Sequence, residues 1–312
     1  MQNGKILVVG ATGRVGGVAV ENLLKEGFEV RALVRQPEKG ERVSAMGAEL
    51  AVGDATAPAT LEDAVRGCSG IFSALAAGPG RGASEDVEYR GNMNLLSAAR
   101  SARVGHFVYS SVHLADHPLA QKVGAFREKA RFENELMAAE DVSSTILRPV
   151  IFMETLDMMI GGPVAFVPGR QRRPVSLIAA RDIARAAVRA IQGDILGRYE
   201  LAGPDTVTFD EAFHRLGKAR GQKIRTLHVP LATLHAAGRF SPYVREMAHM
   251  MALFDEVGFA TDPSALRETF GVPALTIEEW PVRNGKRNSI GAGVGRIVMS
   301  GRETEHCGKE IS

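Results

Sequence analysis

Cysteine is almost missing from this chain: Cys68 and Cys307 are the only two in 312 residues, and they stand far apart. Two such residues build neither a disulfide framework nor a metal knuckle, and they suit a reducing compartment. A surplus of either charge is missing too. The formal net charge is +2, which argues against nucleic-acid recognition through bulk electrostatics, although isolated basic clusters remain. No apolar run is long enough to span a bilayer, and the first residues enter a strand pattern without a signal-peptide core. Together these absences set the expectation of a soluble, cytoplasmic protein that binds neither nucleic acid nor membrane. The rest is ordinary for an enzyme-sized chain, with 45% hydrophobic and 24% charged residues. The length suits one large α/β domain with a smaller appended lobe and a full core.

The most informative residues come first. Lys5-Ile6-Leu7-Val8-Val9 runs directly into Gly10-Ala11-Thr12-Gly13-Arg14-Val15-Gly16-Gly17. An apolar run without polar alternation fits a strand buried on both faces, as parallel sheets require. Each glycine then meets a separate demand: Gly10 the tight exit from the strand, Gly13 the approach of a phosphate to the backbone, Gly16 the packing of the next helix against the sheet. A pyrophosphate would sit on the helix N-terminus, where free N–H groups and the positive end of the dipole meet it.

Strand and helix patterns alternate after this start, with strands expected at 5–9, 29–34, 49–52, 70–75, 106–110 and 144–147, the last closed by Arg148-Pro149. Helices are expected at 15–25, 60–65, 85–102 and 126–139. That order predicts an α/β, doubly wound parallel-sheet Rossmann fold over residues 1–150. Residues 151–282 read as a small C-terminal substrate lobe interleaved with the last sheet strands. It has a pocket wall or lid at 151–160, helices near 180–191 and 209–220, and an amphipathic stretch at 231–253. Residues 283–312 are Gly-rich, basic and without periodicity, and read as a disordered tail. Gly291-Ala292-Gly293-Val294-Gly295 has no strand before it or helix after it, so it belongs to that tail rather than to a second nucleotide loop.

The end of the second strand selects the dinucleotide. An acidic residue there would bond the ribose hydroxyls; an arginine would accept a 2′-phosphate. This chain has Arg35, and Arg14 in the glycine loop is able to close on the same phosphate. The alternative is a solvated strand end and a helix-surface cation. The balance favours NADP(H) over NAD(H). Asp54, after the third strand, is placed either for the adenine edge or to cap the following helix. The expected dinucleotide contacts are Gly10, Thr12, Gly13, Arg14, Val15, Gly16, Arg35 and Asp54.

With Tyr109-Ser110-Ser111, Val34-Arg35 and Gly53-Asp54 added to the glycine loop, the chain resembles the atypical short-chain dehydrogenase/reductase superfamily. Within it the chain is most similar to the NmrA-like group of NAD(P)-binding proteins, over roughly residues 3 to 240. The segment Ser110-Ser111-Val112-His113-Leu114-Ala115-Asp116 resembles the matching part of the NADPH-dependent quinone reductases of that group. The resemblance implies a substrate cleft between a Rossmann domain and a C-terminal lobe. It also implies that Ala74 and Leu75 pass the nicotinamide through their backbone, with Lys129 beside it. Members include reductases of quinones or phenolic compounds and dinucleotide-binding redox sensors without turnover.

One departure matters. The wider superfamily commonly places a Tyr four residues before a Lys, so that the phenol shuttles a proton during hydride transfer. Here Lys129 is present and the Tyr position is Ala125. Lys129 either orients the nicotinamide ribose or protonates a carbonyl oxygen, or else forms an i,i+4 ion pair with Glu133 on a helix surface. The hydroxyls of Ser110 and Ser111 either face the cofactor crevice or close a turn. His113, at the cleft mouth, is a candidate for substrate contact or proton donation. The expected catalytic set is therefore Lys129, Ser111 and His113. His113, Asp116 and His117 lack further ligands at convincing spacing, so no metal is expected. His228, His235 and His249 read as partly buried, Met153, Met158, Met159, Met247, Met250 and Met251 as core. Gln171-Arg172-Arg173 reads as a solvated turn or a phosphate contact.

Two functions compete at this point. One is NADPH-dependent reduction of a quinone or similar small apolar or aromatic electrophile by direct hydride transfer. The other is a non-catalytic NADP(H) sensor that binds a protein partner. A homodimer is compatible with both.

Overall fold

The computed structural model describes residues 4–77 and 84–280. Strand and helix alternate through β1 (Lys5–Val9), α1 (Arg14–Lys25), β2 (Glu29–Val34), α2 (Glu41–Ala45), β3 (Glu49–Val52), α3 (Leu61–Val65), β4 (Cys68–Ser73), α4 (Gly91–Ser101), β5 (His106–Ser110), α5 (Gly124–Ala138) and β6 (Ser143–Pro149). Shorter pieces follow: β7 (Ile151–Phe152), α6 (Glu154–Met159), β8 (Ile160–Gly161), β9 (Val164–Pro168), β10 (Val175–Ile178), α7 (Ala180–Gly193), β11 (Gly197–Leu201), β12 (Thr206–Val207), α8 (Phe209–Ala219), β13 (Arg225–Val229), α9 (Leu231–Ala237), α10 (Pro242–Val257) and α11 (Ser264–Glu268).

Seven strands form one sheet in the order β3-β2-β1-β4-β5-β6-β11, every neighbouring pair parallel. This is the doubly wound Rossmann arrangement expected from the sequence, and the strand order reverses between β1 and β4. The unbroken apolar run of β1 is explained by its burial on both sides. Ile6 and Val8 enter the core layer shared with α1 and α7, while Leu7 and Val9 enter the layer shared with α3, α4 and α5. Phe72 and Val108 point into the first layer, Ile71, Phe107 and Tyr109 into the second. Burying each such large side chain stabilises the fold by roughly 1.5–3 kcal/mol.

Past β6 the chain builds two small sheets, β12-β10-β7 and β13-β9-β8, and yet returns to the large sheet to add β11 at its edge. The last described residues fold back onto this part. Leu275 N–H donates to Asp182 and Ile277 N–H to Asp205, and the buried Trp280 donates its indole N–H to Glu154. No helix among the described residues is long and apolar enough to cross a membrane.

Several boundaries differ from the sequence reading. β4 ends at Ser73, so Ala74 and Leu75 lie beyond the strand, although Ala74 N–H still bonds the Val9 carbonyl. The helix expected at 85–102 is one π-helical turn (Glu85–Arg90) followed by α4. β6 continues through Arg148 and Pro149, which puts Arg148 inside the sheet. The 231–253 stretch breaks at Gly238–Ser241 into α9 and α10. Gln171 is neither a solvated turn nor free for a phosphate: its side chain donates to the carbonyls of Pro168 and Met251, and its N–H to Asp255. Arg172 and Arg173 are exposed. Met153 and Met251 are core and Met159, Met247 and Met250 pack against it, whereas Met158 is exposed. The proposed tail at 283–312, with its glycine cluster, lies outside the described residues.

A Cβ built on Gly16 would overlap the Gly10 carbonyl oxygen. Gly16→Ala is therefore expected to lower stability by about 1–3 kcal/mol, as forced overpacking does, read as an earlier midpoint in urea unfolding.

Candidate functional site

The strand-order reversal opens a crevice above the C-terminal ends of β1 and β4, and the glycine loop forms its floor. Gly10 has φ +79°, and a Cβ there would lie 2.5 Å from the Ala74 carbonyl oxygen. Gly13 donates its N–H to Gly10 O at 2.9 Å and sits at the N-cap of α1 with no side chain capping the helix. Thr12, Gly13 and Arg14 are exposed while Val15 and Gly16 are buried. An uncapped helix N-terminus under exposed glycine backbone fits a pyrophosphate.

On the β2 side of the crevice, Arg35 follows the strand, is exposed, and has no carboxylate partner among the described residues. Arg14 turns toward the lobe, its guanidinium 3.2 Å from the Met158 sulfur of α6. Asp54 does not cap a helix. Its Oδ1 accepts from the N–H and hydroxyl of Thr56, both at 2.9 Å, which closes a local turn.

On the other side, α5 carries Lys129 to the ends of β4 and β5. Its ammonium donates to the carbonyls of Ser110 at 3.1 Å and Leu75 at 3.4 Å, and lies 5.3 Å from the centre of the Tyr109 ring. The surface ion pair with Glu133 is not formed, and among the described residues no carboxylate stands within salt-bridge distance of Lys129. Glu133 is instead buried against Arg148 of β6 at 2.5 Å. Arg148 also reaches Glu200 of β11 and Asp116, each at 3.1 Å. That bond holds the Asp116 carboxyl below its ordinary range, against the opposing effect of partial burial.

Ser111 continues the sheet by donating its N–H to Leu147 O, and its buried hydroxyl has no partner among the described residues. Ala125, in the first turn of α5, is half-buried against the core. The N–H of Gly124, which begins α5, donates to Glu246 of α10 at 2.7 Å, so the lobe touches the helix that bears Lys129. His113, expected at the cleft mouth, is largely buried, with Nδ1 2.6 Å from Glu200 and its ring edge-to-face with Phe259 of the lobe. His117 accepts from Leu119 N–H and Asp116 goes to Arg148, so the three do not converge. Among the described residues no group of three or more His, Cys, Asp or Glu side chains is placed for a metal. His228 is held between Gly169 O and Asp210; these bonds raise its pKa although burial works against them.

Tyr109 cannot replace the missing phenol, because it is wholly buried edge-on to Phe132. Burial pushes its pKa well up, assisted by the charges of Glu88 and Glu133. Sequence reasoning missed two features here. Glu88 is buried in the π-helical turn, within a stretch read only as a long helix. Arg148, read as the end of a strand, is the centre of a buried charge network.

Removing Arg148 leaves the buried Glu133 with Arg198 at 3.5 Å, whereas removing Glu133 leaves Arg148 with Asp116 and Glu200. Arg148→Met should therefore cost about 3–5 kcal/mol in urea unfolding and Glu133→Met less, and the double substitution should cost less than Arg148→Met alone.

The sequence pattern of the NmrA-like family matches residues 2–280. An NAD(P)H azoreductase of Xenophilus azovorans is 31% identical over 232 residues, covering 72% of this chain and 77% of that protein. A photosystem II assembly factor of Guillardia theta is 29% identical over 237 residues, covering 73% and 74%. Among solved structures, an NADPH-dependent quinone oxidoreductase of Escherichia coli complexed with NADPH matches with a TM-score of 0.75 at 22% identity, over 89% of this chain and 99% of that one. A family pattern spanning nearly the whole described fold, together with a relative above 30% identity, settles the affiliation: the chain belongs to the NmrA-like family.

Proposed function

We propose that this protein is an NADP(H)-dependent reductase of a small planar electrophile, a quinone or a related conjugated aromatic compound. The observation that carries the reading is Lys129, a half-buried ammonium group whose hydrogen bonds, among the described residues, go to carbonyls where β4 and β5 end. A dinucleotide lying across the crevice would place its pyrophosphate on α1 and its 2′-phosphate by Arg35, with Arg14 within reach from the loop. Its other end then falls beside Ala74, Leu75, Ser111 and Lys129.

When bound, the reduced nicotinamide supplies a hydride. Lys129 would present its ammonium to the substrate oxygen or nitrogen on which negative charge develops, and the unpartnered Ser111 hydroxyl would bond the substrate or the nicotinamide amide. His113, oriented by Glu200, stands toward the lobe as a second polar contact. A quinone is able to take its proton from water, so Ala125 in place of a phenol does not disable this chemistry. The NAD(P)H azoreductase relative supports a conjugated substrate, since by its name it reduces an azo compound. Ala125, with the photosystem II assembly factor relative, favours a second reading, a dinucleotide-binding protein that acts through a protein partner.

The deciding experiment follows nicotinamide absorbance after NADPH or NADH is mixed with the protein and a panel of quinones, azo compounds, enones and aldehydes. Gly13→Val, which fills the space above the loop, is the control. Fast loss of NADPH with one class is expected; tight NADPH binding without oxidation across the panel would select the second reading. Lys129→Met should lower turnover about a hundredfold while leaving dinucleotide affinity within a few fold. Arg14→Ala with Arg35→Ala should weaken NADPH about tenfold or more while sparing NADH, as loss of charge-assisted bonds to a phosphate does; equal weakening of both would remove the 2′-phosphate assignment.

A further inference from the structure

Glu88 has no role in the proposed reaction, yet it is only 3% exposed and lies near enough to Lys129 for the two charges to interact. Its position is built rather than incidental. Ser73, the last residue of β4, donates its hydroxyl to Asn92 Oδ1 at 2.6 Å, and Asn92 Nδ2 donates to the Glu88 carbonyl at 2.8 Å. This buried chain fastens the π-helical turn to the end of β4. The Glu88 side chain then reaches the loop after β4, where Oε1 accepts the Ala77 N–H at 3.3 Å. Oε2 is buried and has no partner among the described residues. Two residues earlier in the same loop, the Leu75 carbonyl accepts from Lys129. A carboxyl and an ammonium therefore hold one short piece of backbone, the carboxyl at its N–H and the ammonium at its carbonyl.

We propose that Glu88 is a positioning residue that, through the Leu75–Ala77 loop and Lys129, sets how strongly the site prefers the oxidised to the reduced dinucleotide. This rests on the dinucleotide orientation given above, which puts the nicotinamide against that loop. NADP⁺ carries a cationic ring and NADPH a neutral one, so a buried carboxylate behind the loop favours NADP⁺, while a neutral carboxyl does not. An orphaned carboxylate oxygen is costly in a buried site. Cationic charge brought to the crevice lessens that cost.

The sign of the pH dependence follows from burial. Burial raises the Glu88 pKa, opposed by Lys129 and by the Ala77 N–H and reinforced by the charges of Glu128 and Glu246. The ionisable groups that bear on it are thus Lys129 and Glu128 of α5, Glu246 of α10, and Tyr109 of β5, whose own pKa Glu88 helps to raise. The neutral carboxyl persists above the ordinary carboxylate range, and ionisation on going to higher pH turns the balance toward NADP⁺.

The test measures dissociation constants of both NADP⁺ and NADPH from pH 5 to 9 by calorimetry, in the native protein, Glu88→Gln and Glu88→Ala. The ratio of the two constants is the quantity of interest, because the 2′-phosphate titrates alike in both ligands and cancels. In the native protein the preference for NADP⁺ should grow by about tenfold with rising pH, the effect of a pKa difference of about one unit between the two complexes. Glu88→Gln retains the acceptor for Ala77 N–H and should make the ratio independent of pH with NADPH affinity within a few fold. Glu88→Ala should flatten the ratio and weaken both ligands. A flat native ratio overturns the proposal even if neither variant folds, and so does an unchanged slope in Glu88→Gln. Native protein that binds neither dinucleotide overturns the reductase reading, and this proposal with it.

Discussion

Three stretches of backbone meet at the end of β1 with no room for a side chain between them. The carbonyl of Gly10 lies where a Cβ of Gly16 would be, and the Cα of Gly10 itself faces the carbonyl of Ala74. Helix α1, strand β1 and the continuation of β4 are thereby held at glycine distance. Everything proposed for the crevice depends on this spacing. The N-terminus of α1 comes down onto the sheet edge, and the loop after β4 comes close enough for Lys129 to bond it. A bulkier elbow would separate the phosphate side of the site from the nicotinamide side before any functional group could act.

Charge placement on the far face of the sheet follows a division of partners. Arg148 absorbs Glu133, Glu200 and Asp116, and Arg127 and Arg131 absorb Glu128. Among the described residues Lys129 is left with neutral partners, two carbonyls and the Tyr109 ring. An ammonium satisfied by dipoles rather than by a carboxylate keeps its field available to an incoming group. The same network reaches His113 through Glu200, so that one guanidinium in β6 orders residues from α5, β11 and the loop after β5.

The sheet and the glycine loop were legible in the sequence because their signals are local: apolar strand runs, glycine spacing and regular alternation with helices. The place of Arg35 just after β2 was legible for the same reason, since the distance from the loop to the end of the second strand is a property of one βαβ unit. Arg148, Glu133 and Glu200 were not. They lie 15 and 52 residues from one another, and an arginine before a proline looks like the end of a strand until β11 pairs beside it. Glu88 failed for a different reason. The run Glu85-Asp86-Val87-Glu88 has the composition of an exposed first turn, yet it forms a π-helical turn in which Glu88 is buried. The turn residues Gln171 and Asp54 were judged by type, whereas their hydrogen bonds depend on α10 in one case and on Thr56 and Thr60 in the other.

Strand β11 is contributed by residues that come after the lobe has begun, and it covers the outer edge of β6 from Thr145 to Pro149. The chain thus crosses between its two parts and back before the larger sheet is finished. A polypeptide ended at residue 150 would leave β6 with a bare row of N–H and carbonyl groups beside an Arg148 deprived of Glu200, an open template for another chain. Folding of the large sheet therefore waits on sequence far downstream, and during synthesis the N-terminal half has to remain unfinished until that strand emerges.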